Sequence, residues 1–151
     1  MPYRAVITLA IFALSVPRAS AQVSGTFAAT SGQVLRLVDV NGDGDFLDFA
    51  EVVSYANPPA TLGSLAASST ELFAIAPSTA TVYTLHDLNN DGDALDFAEV
   101  LQYAQLPTGA HSPIATGLAL AADGTLYTLD SANNLLYRIH DANADGDALV
   151  F

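Results

Sequence analysis

Residues 34–56, VLRLVDVNGDGDFLDFAEVVSYA, return without a gap at 82–104 as VYTLHDLNNDGDALDFAEVLQYA, 48 positions further on, with 15 of 23 positions identical. A third copy, LYRIHDANADGDALVF at 136–151, matches the second at 10 of 16 positions with an offset of 54. That offset also carries Gly63 onto Gly117, Phe73 onto Tyr127, Ile75 onto Leu129 and Tyr83 onto Tyr137, so the connections repeat together with the core. Each copy opens on a period of two. Leu35 and Leu37, Tyr83 and Leu85, and Tyr137 and Ile139 share one side, while Arg36, Thr84 and Arg138 take the other. Side chains alternate in this way across a strand, whereas an amphipathic helix spaces its apolar residues by three and four. Similar short strands are expected over 51–55, 72–76, 99–103, 118–121 and 126–129. Turn signals at Pro77-Ser78, Asp123-Gly124 and Asn133-Asn134 separate them.

Four short strands in a unit of about 50 residues is the arithmetic of a propeller blade. The stretch 117–130, GLALAADGTLYTLD, followed by NNLLYRI at 133–139, resembles blades of the NHL-repeat and sugar-dehydrogenase-like β-propellers. In those families an inner strand, a D-G turn, a second strand, an N-rich turn and a third strand follow in that order. The resemblance implies an all-β fold of β-propeller-like repeats, built from four-stranded antiparallel blades. It leaves activity open, because such motifs serve many functions. The units expected are 22–56, 57–104 and 105–151, under three blades, where closed propellers have four to eight. The chain is therefore expected to be the N-terminal part of a longer protein. Residues 26–29, the counterpart of 71–74, start the first unit without an inner strand like that at 118–121, which missing C-terminal residues are expected to supply.

At the N-terminus, Arg4 precedes an apolar run over 5–16, then Pro17 and the small residues Ala19-Ser20-Ala21. This is the pattern of a secretory signal peptide, 1–21, cleaved after Ala21, and the run is too short for a membrane span. The expected location is outside the cytoplasm: secreted, periplasmic or on the cell surface. Cleavage leaves Arg36 and Arg138 against all 16 acids of a chain with no Lys and no Cys. Without basic clusters, nucleic acid and anionic membrane surfaces are excluded as partners. Without disulfides, stability has to come from the core, from assembly or from bound ions.

The acids concentrate in the repeat. Asp39, Asn41, Asp43, Gly44 and Asp45 form D-x-N-x-D-G-D, the first half of a calcium loop of EF-hand type. In such a loop, side-chain oxygens at positions one, three and five surround the ion, and glycine at six permits the sharp turn. The set recurs at Asp87, Asn89, Asp91, Gly92 and Asp93, and at Asp141, Asn143, Asp145, Gly146 and Asp147. Packing carboxylates this closely costs a few kcal/mol per near pair at a surface-like dielectric, about 4 kcal/mol at 4 Å, unless a cation sits among them. Oxygen ligands without His or Cys favour Ca²⁺ over zinc or copper. An EF-hand has Glu at position twelve, where Ala50 and Ala98 stand here. Acids follow at positions ten and thirteen instead: Asp48 and Glu51, Asp96 and Glu99. Spacing leaves open which of them completes the shell. The third copy has Val150 in place of the Asp at position ten and is the weakest site.

Other residues carry less chemistry. His86 and His140 flank the first loop Asp at equivalent positions, His111 stands alone, and Tyr55 and Tyr103 recur as packing residues. No Gly-rich phosphate loop, nucleophile elbow or Cys nucleophile occurs. The function expected is a secreted calcium-binding module, structural or binding, with an extracellular protein or glycan as ligand. The alternative is part of a propeller enzyme of the sugar-dehydrogenase or lactonase kind, with catalytic residues beyond Phe151. A third possibility is a repeat array whose acidic loops suit high salt.

Overall fold

The alternating segments resolve into strands in the computed structural model, which describes residues 25–107 and 114–149. The segment read as a signal peptide, His111, Val150 and Phe151 lie outside the described residues. The strands are β1 Thr26–Ala29, β2 Val34–Leu37, β3 Val52–Ala56, β4 Ser64–Ala67, β5 Leu72–Ala76, β6 Thr81–Leu85, β7 Val100–Gln105, β8 Ala115–Leu120, β9 Leu126–Asp130 and β10 Leu135–Ile139. They form three antiparallel sheets in chain order, β1-β2-β3, β4-β5-β6-β7 and β8-β9-β10. The fold is all-β, a propeller-like succession of meanders. The middle sheet has four strands. Among the described residues the first has the counterparts of β5, β6 and β7, and so lacks an inner strand; the third has those of β4, β5 and β6.

Neighbouring sheets lie side by side, with β4 against β8 and β1 close to β4. This explains why the middle sheet is more apolar than a half-buried strand requires. On β5, Leu72 and Ala74 enter a cluster with Val34, Tyr55 and Leu85 toward the first sheet. Their neighbours Phe73 and Ile75 enter a second cluster with Val82, Tyr103 and Leu126 toward the third. The period of two is intact, but both faces are dry, and all five residues of β5 are buried. Full burial of Leu72, Ile75 and Leu85 contributes about 1.5–3 kcal/mol each.

Two equivalent bulges set up the candidate site. Val34 pairs with Ala56 but Leu35 with Ser54, so Tyr55 is the extra residue of its strand. Val82 pairs with Ala104 but Tyr83 with Gln102, which makes Tyr103 the extra residue of the next sheet. A bulge turns a side chain and leaves its backbone outside the ladder. Both tyrosines pack inward, edge-on to Phe27 at 4.7 Å and to Phe73 at 5.0 Å. Their freed carbonyls accept N–H groups of the following Asp loop: Ala94 N donates to Tyr55 O at 2.6 Å, and Ala148 N to Tyr103 O at 2.8 Å. The second and third Asp loops are thereby tied to the sheet before them. Tyr55 and Tyr103 are packing residues, as the repeat suggested.

Candidate metal centre

The Asp loops follow β2, β6 and β10, equivalent strands of their meanders, so the three occupy the same end of successive sheets. In the first, Asp39 Oδ1 accepts from Gly42 N at 2.6 Å and Oδ2 from Gly44 N at 3.0 Å. Asn41 Oδ1 accepts from Asp43 N, Asp43 Oδ1 from Asp45 N, and Asp45 Oδ1 from Leu47 N. This ladder of Asx turns winds the backbone around the carboxylates with no help from helices. In the second loop Asn89, Asp91 and Asp93 accept in the same register and Asp87 Oδ2 takes Gly92 N at 2.9 Å, but Asp87 Oδ1 takes Asp91 N at 3.1 Å, one place later than its counterparts in the other two loops. In the third, Asp141 accepts from Ala144 N and Gly146 N, Asp145 from Asp147 N, and Asp147 from Leu149 N. The Gly146 bond leads in holding the Asp141 carboxyl below the usual carboxylate range, against the opposing effect of burial.

Position thirteen behaves unlike its neighbours. Glu51 and Glu99 are 0% and 1% exposed, in loops whose other acids are wet or half-wet. Glu51 takes Val40 N on Oε1 at 3.1 Å and Asp48 N on Oε2 at 3.0 Å. Glu99 takes Leu88 N at 2.8 Å and Asp96 N at 2.9 Å in the same way. The turn that permits this is at position twelve, where Ala50 and Ala98 hold φ of 69° and 70°. A left-handed residue there folds the chain back, so the acid one place later swings beneath the loop. One carboxylate oxygen each from Asp39, Asp43 and Glu51 lies within 4.8 Å of the others. Asp48 is not among these three, and Asp48 and Asp96 accept from the Asn41 and Asn89 amides, which also donate to Asp43 and Asp91 at 2.9 Å. In the third loop the Asn143 amide donates to Asp145 at 2.6 Å, and the position of the second acceptor is Val150.

The fields of the second and third loops reach the sheet before each of them. Burial, then the carboxylate of Asp87, pushes the Tyr55 phenol up to about 12, with Arg36 pulling the other way. Burial and then Asp141 raise that of Tyr103. Arg36 Nη1 donates to Gly92 O at 3.1 Å, a cross-sheet tie to the second loop that residue spacing did not reveal. His86 bonds Thr84 Oγ1 at 2.8 Å and lies 3.8 Å from Glu71, a local role beside the turn.

Position four tests the backbone account. Gly42, Asn90 and Ala144 occupy it with φ of 76°, 61° and 60°. Only glycine does so without strain. Ala144→Gly is expected to raise stability by about 0.5–1 kcal/mol, and Gly42→Ala to lower it by a similar amount, in thermal melts. Equal melts for both variants and the parent would contradict the left-handed assignment.

No protein-family model and no curated protein sequence matches the chain. Among solved structures, selenomethionine-substituted virginiamycin B lyase from Staphylococcus aureus superposes with a TM-score of 0.46 at 13% identity, over 80% of this chain. The chain spans 39% of that protein's length. A likeness at that level says nothing of what this chain binds or does.

Proposed function

We propose that the repeated Asp loops bind Ca²⁺ and that the chain is a calcium-stabilised, exported binding or structural module whose ligand is an extracellular protein or glycan. The observation that carries the reading is the gathering of Asp39, Asp43 and the buried Glu51 around one point, in a loop wound by Asx turns. The donors fit the ion: all are hard oxygens, a carboxylate oxygen has lone pairs beyond the one given to an N–H, and the three bring three negative charges. In the first loop, Asp39, Asp43 and Glu51 would hold the ion, with Asn41 turning its amide oxygen inward and Asp45 adding a backbone carbonyl. Asp87, Asn89, Asp91, Asp93 and Glu99 would do the same in the second. Export rests on the N-terminal sequence pattern.

Bound calcium would cancel the repulsion within each loop and, in the second and third, hold the loop against the bulged tyrosine of the sheet before. At dissociation constants typical of extracellular modules, about 0.1–1 mM, millimolar calcium adds about 0.4–1.4 kcal/mol per site. The expected result is a melting midpoint a few degrees higher in calcium than in chelator. The Asp43→Asn, Asp91→Asn double variant should lose that increment, because Asn keeps the Asx turn and removes the charge. A midpoint indifferent to calcium, or one that NaCl raises equally, would favour acidic loops adapted to salt.

A further inference from the structure

The loop tips carry apolar side chains that the fold does not use. Phe49 and Phe97, at equivalent positions, are each 99% exposed, and Leu47, Val40 and Leu88 nearby are also mostly in water. The sequence keeps Phe at the third equivalent position, 151, although the fold gains no burial from the two that are described. Beside Phe97 lies an open groove of about 350 Å³. Leu95, Val100 and Leu101 line it with Phe97, Asn57 arrives from the connection that leaves the first sheet, and Asp96 stands at its edge. An apolar patch of this kind, rimmed by polar groups, marks an interaction site more often than a scattered surface leucine does.

Charge decides what fits it. The exposed acids near the two tips include Asp43, Asp45, Asp48, Asp91 and Asp96. The nearest cation, Arg36, is committed to Gly92 O. A second copy would bring the same excess of acids, −12 for the chain, and be repelled, as would nucleic acid or an anionic bilayer. Lys or Arg beside apolar side chains complements both features.

We propose that the groove at Phe97, with the matching tip at Phe49, docks a cationic amphipathic peptide segment of a partner protein. None of the residues lining the groove is among the ligands proposed for calcium, so the proposal stands apart from the calcium reading. The test is fluorescence anisotropy with the full chain, in chelator and in calcium, using a dye-labelled peptide of interleaved Lys and Leu. Lys–Ser and Glu–Leu peptides of equal length serve as controls. Saturable binding of the Lys–Leu peptide alone is expected, weakening as salt rises from about 0.05 to about 0.5 M. Phe97→Ser should weaken it at least about tenfold with an unchanged melt, and Phe97→Tyr should keep it. No binding, equal binding of the Lys–Ser peptide, or binding that Phe97→Ser leaves intact would overturn the proposal. So would a lowered melt for Phe97→Ser, which would place the ring inside the fold, or a concentration-dependent dimer lost in that variant.

Discussion

Glu99→Gln is expected to destabilise the protein by about 2–4 kcal/mol even in chelator, and Glu51→Gln by a similar amount. The Glu99 carboxylate receives Leu88 N and Asp96 N on its two oxygens in a site that excludes water. Glutamine offers one acceptor and one donor, so one buried N–H loses its partner and meets another N–H. The second loop is then unpinned at both ends at once, because Leu88 lies at its start and Asp96 near its close. Measuring in chelator separates this structural part from any loss of metal. Melts for Glu99→Gln that overlay the parent would contradict the buried, doubly bonded geometry, and with it the reason for an acid at position thirteen.

Asp130→Ala should lower the melting midpoint by about 10 °C or more, since it strands several N–H groups in a dry site. Asp130 is fully buried at the end of β9. Its Oδ1 accepts from Ile114 N and Ala132 N at 3.0 Å and from Asn133 N at 3.3 Å, and its Oδ2 accepts from Asn133 Nδ2 at 2.6 Å. It thus ties the start of the third sheet to the turn between β9 and β10. Burial pushes its pKa up, but the Asn133 amide and the three N–H groups outweigh that and hold it below the usual carboxylate range. With the folded pKa below the unfolded value of about 3.9, this stabilisation is fully present above about pH 5. It is lost as pH falls through the folded value. Acid titrations of parent and Asp130→Ala should therefore converge at low pH. A gap of constant size down to the acid limit would show that the side chain acts by packing alone.

The strands were legible because each repeat carries its own alternation, and because Tyr55 and Tyr103 return at one strand position. Ser64–Ala67 has no such alternation, since Ser64, Leu65 and Ala66 are all half-buried, and only the match of Gly63 to Gly117 points to it. The period of two also underestimates β5, whose two faces serve two different clusters. The Asx ladder could be read from D-x-N-x-D-G-D, because each turn is made within two to five residues. Which of Asp48 and Glu51 lies buried beneath the loop could not. It turns on the left-handed backbone of Ala50, and alanine gives no sign of that conformation. Likewise hidden were the bond from Arg36 to Gly92 and the Tyr55 carbonyl freed by its bulge, which join residues about 40 to 56 apart. Asp130 left one local signal, the D-S-A-N turn over 130–133, beside the Asn133-Asn134 turn already visible.

Calorimetric titration of the chain with calcium, beside the Asp43→Asn, Asp91→Asn double variant, tests the central claim most directly. Saturable binding of at least two ions in the millimolar range or tighter, lost in the double variant while the fold persists in chelator, is the expected result. A folded sample that takes up no calcium, or a double variant that binds as the parent does, would contradict it.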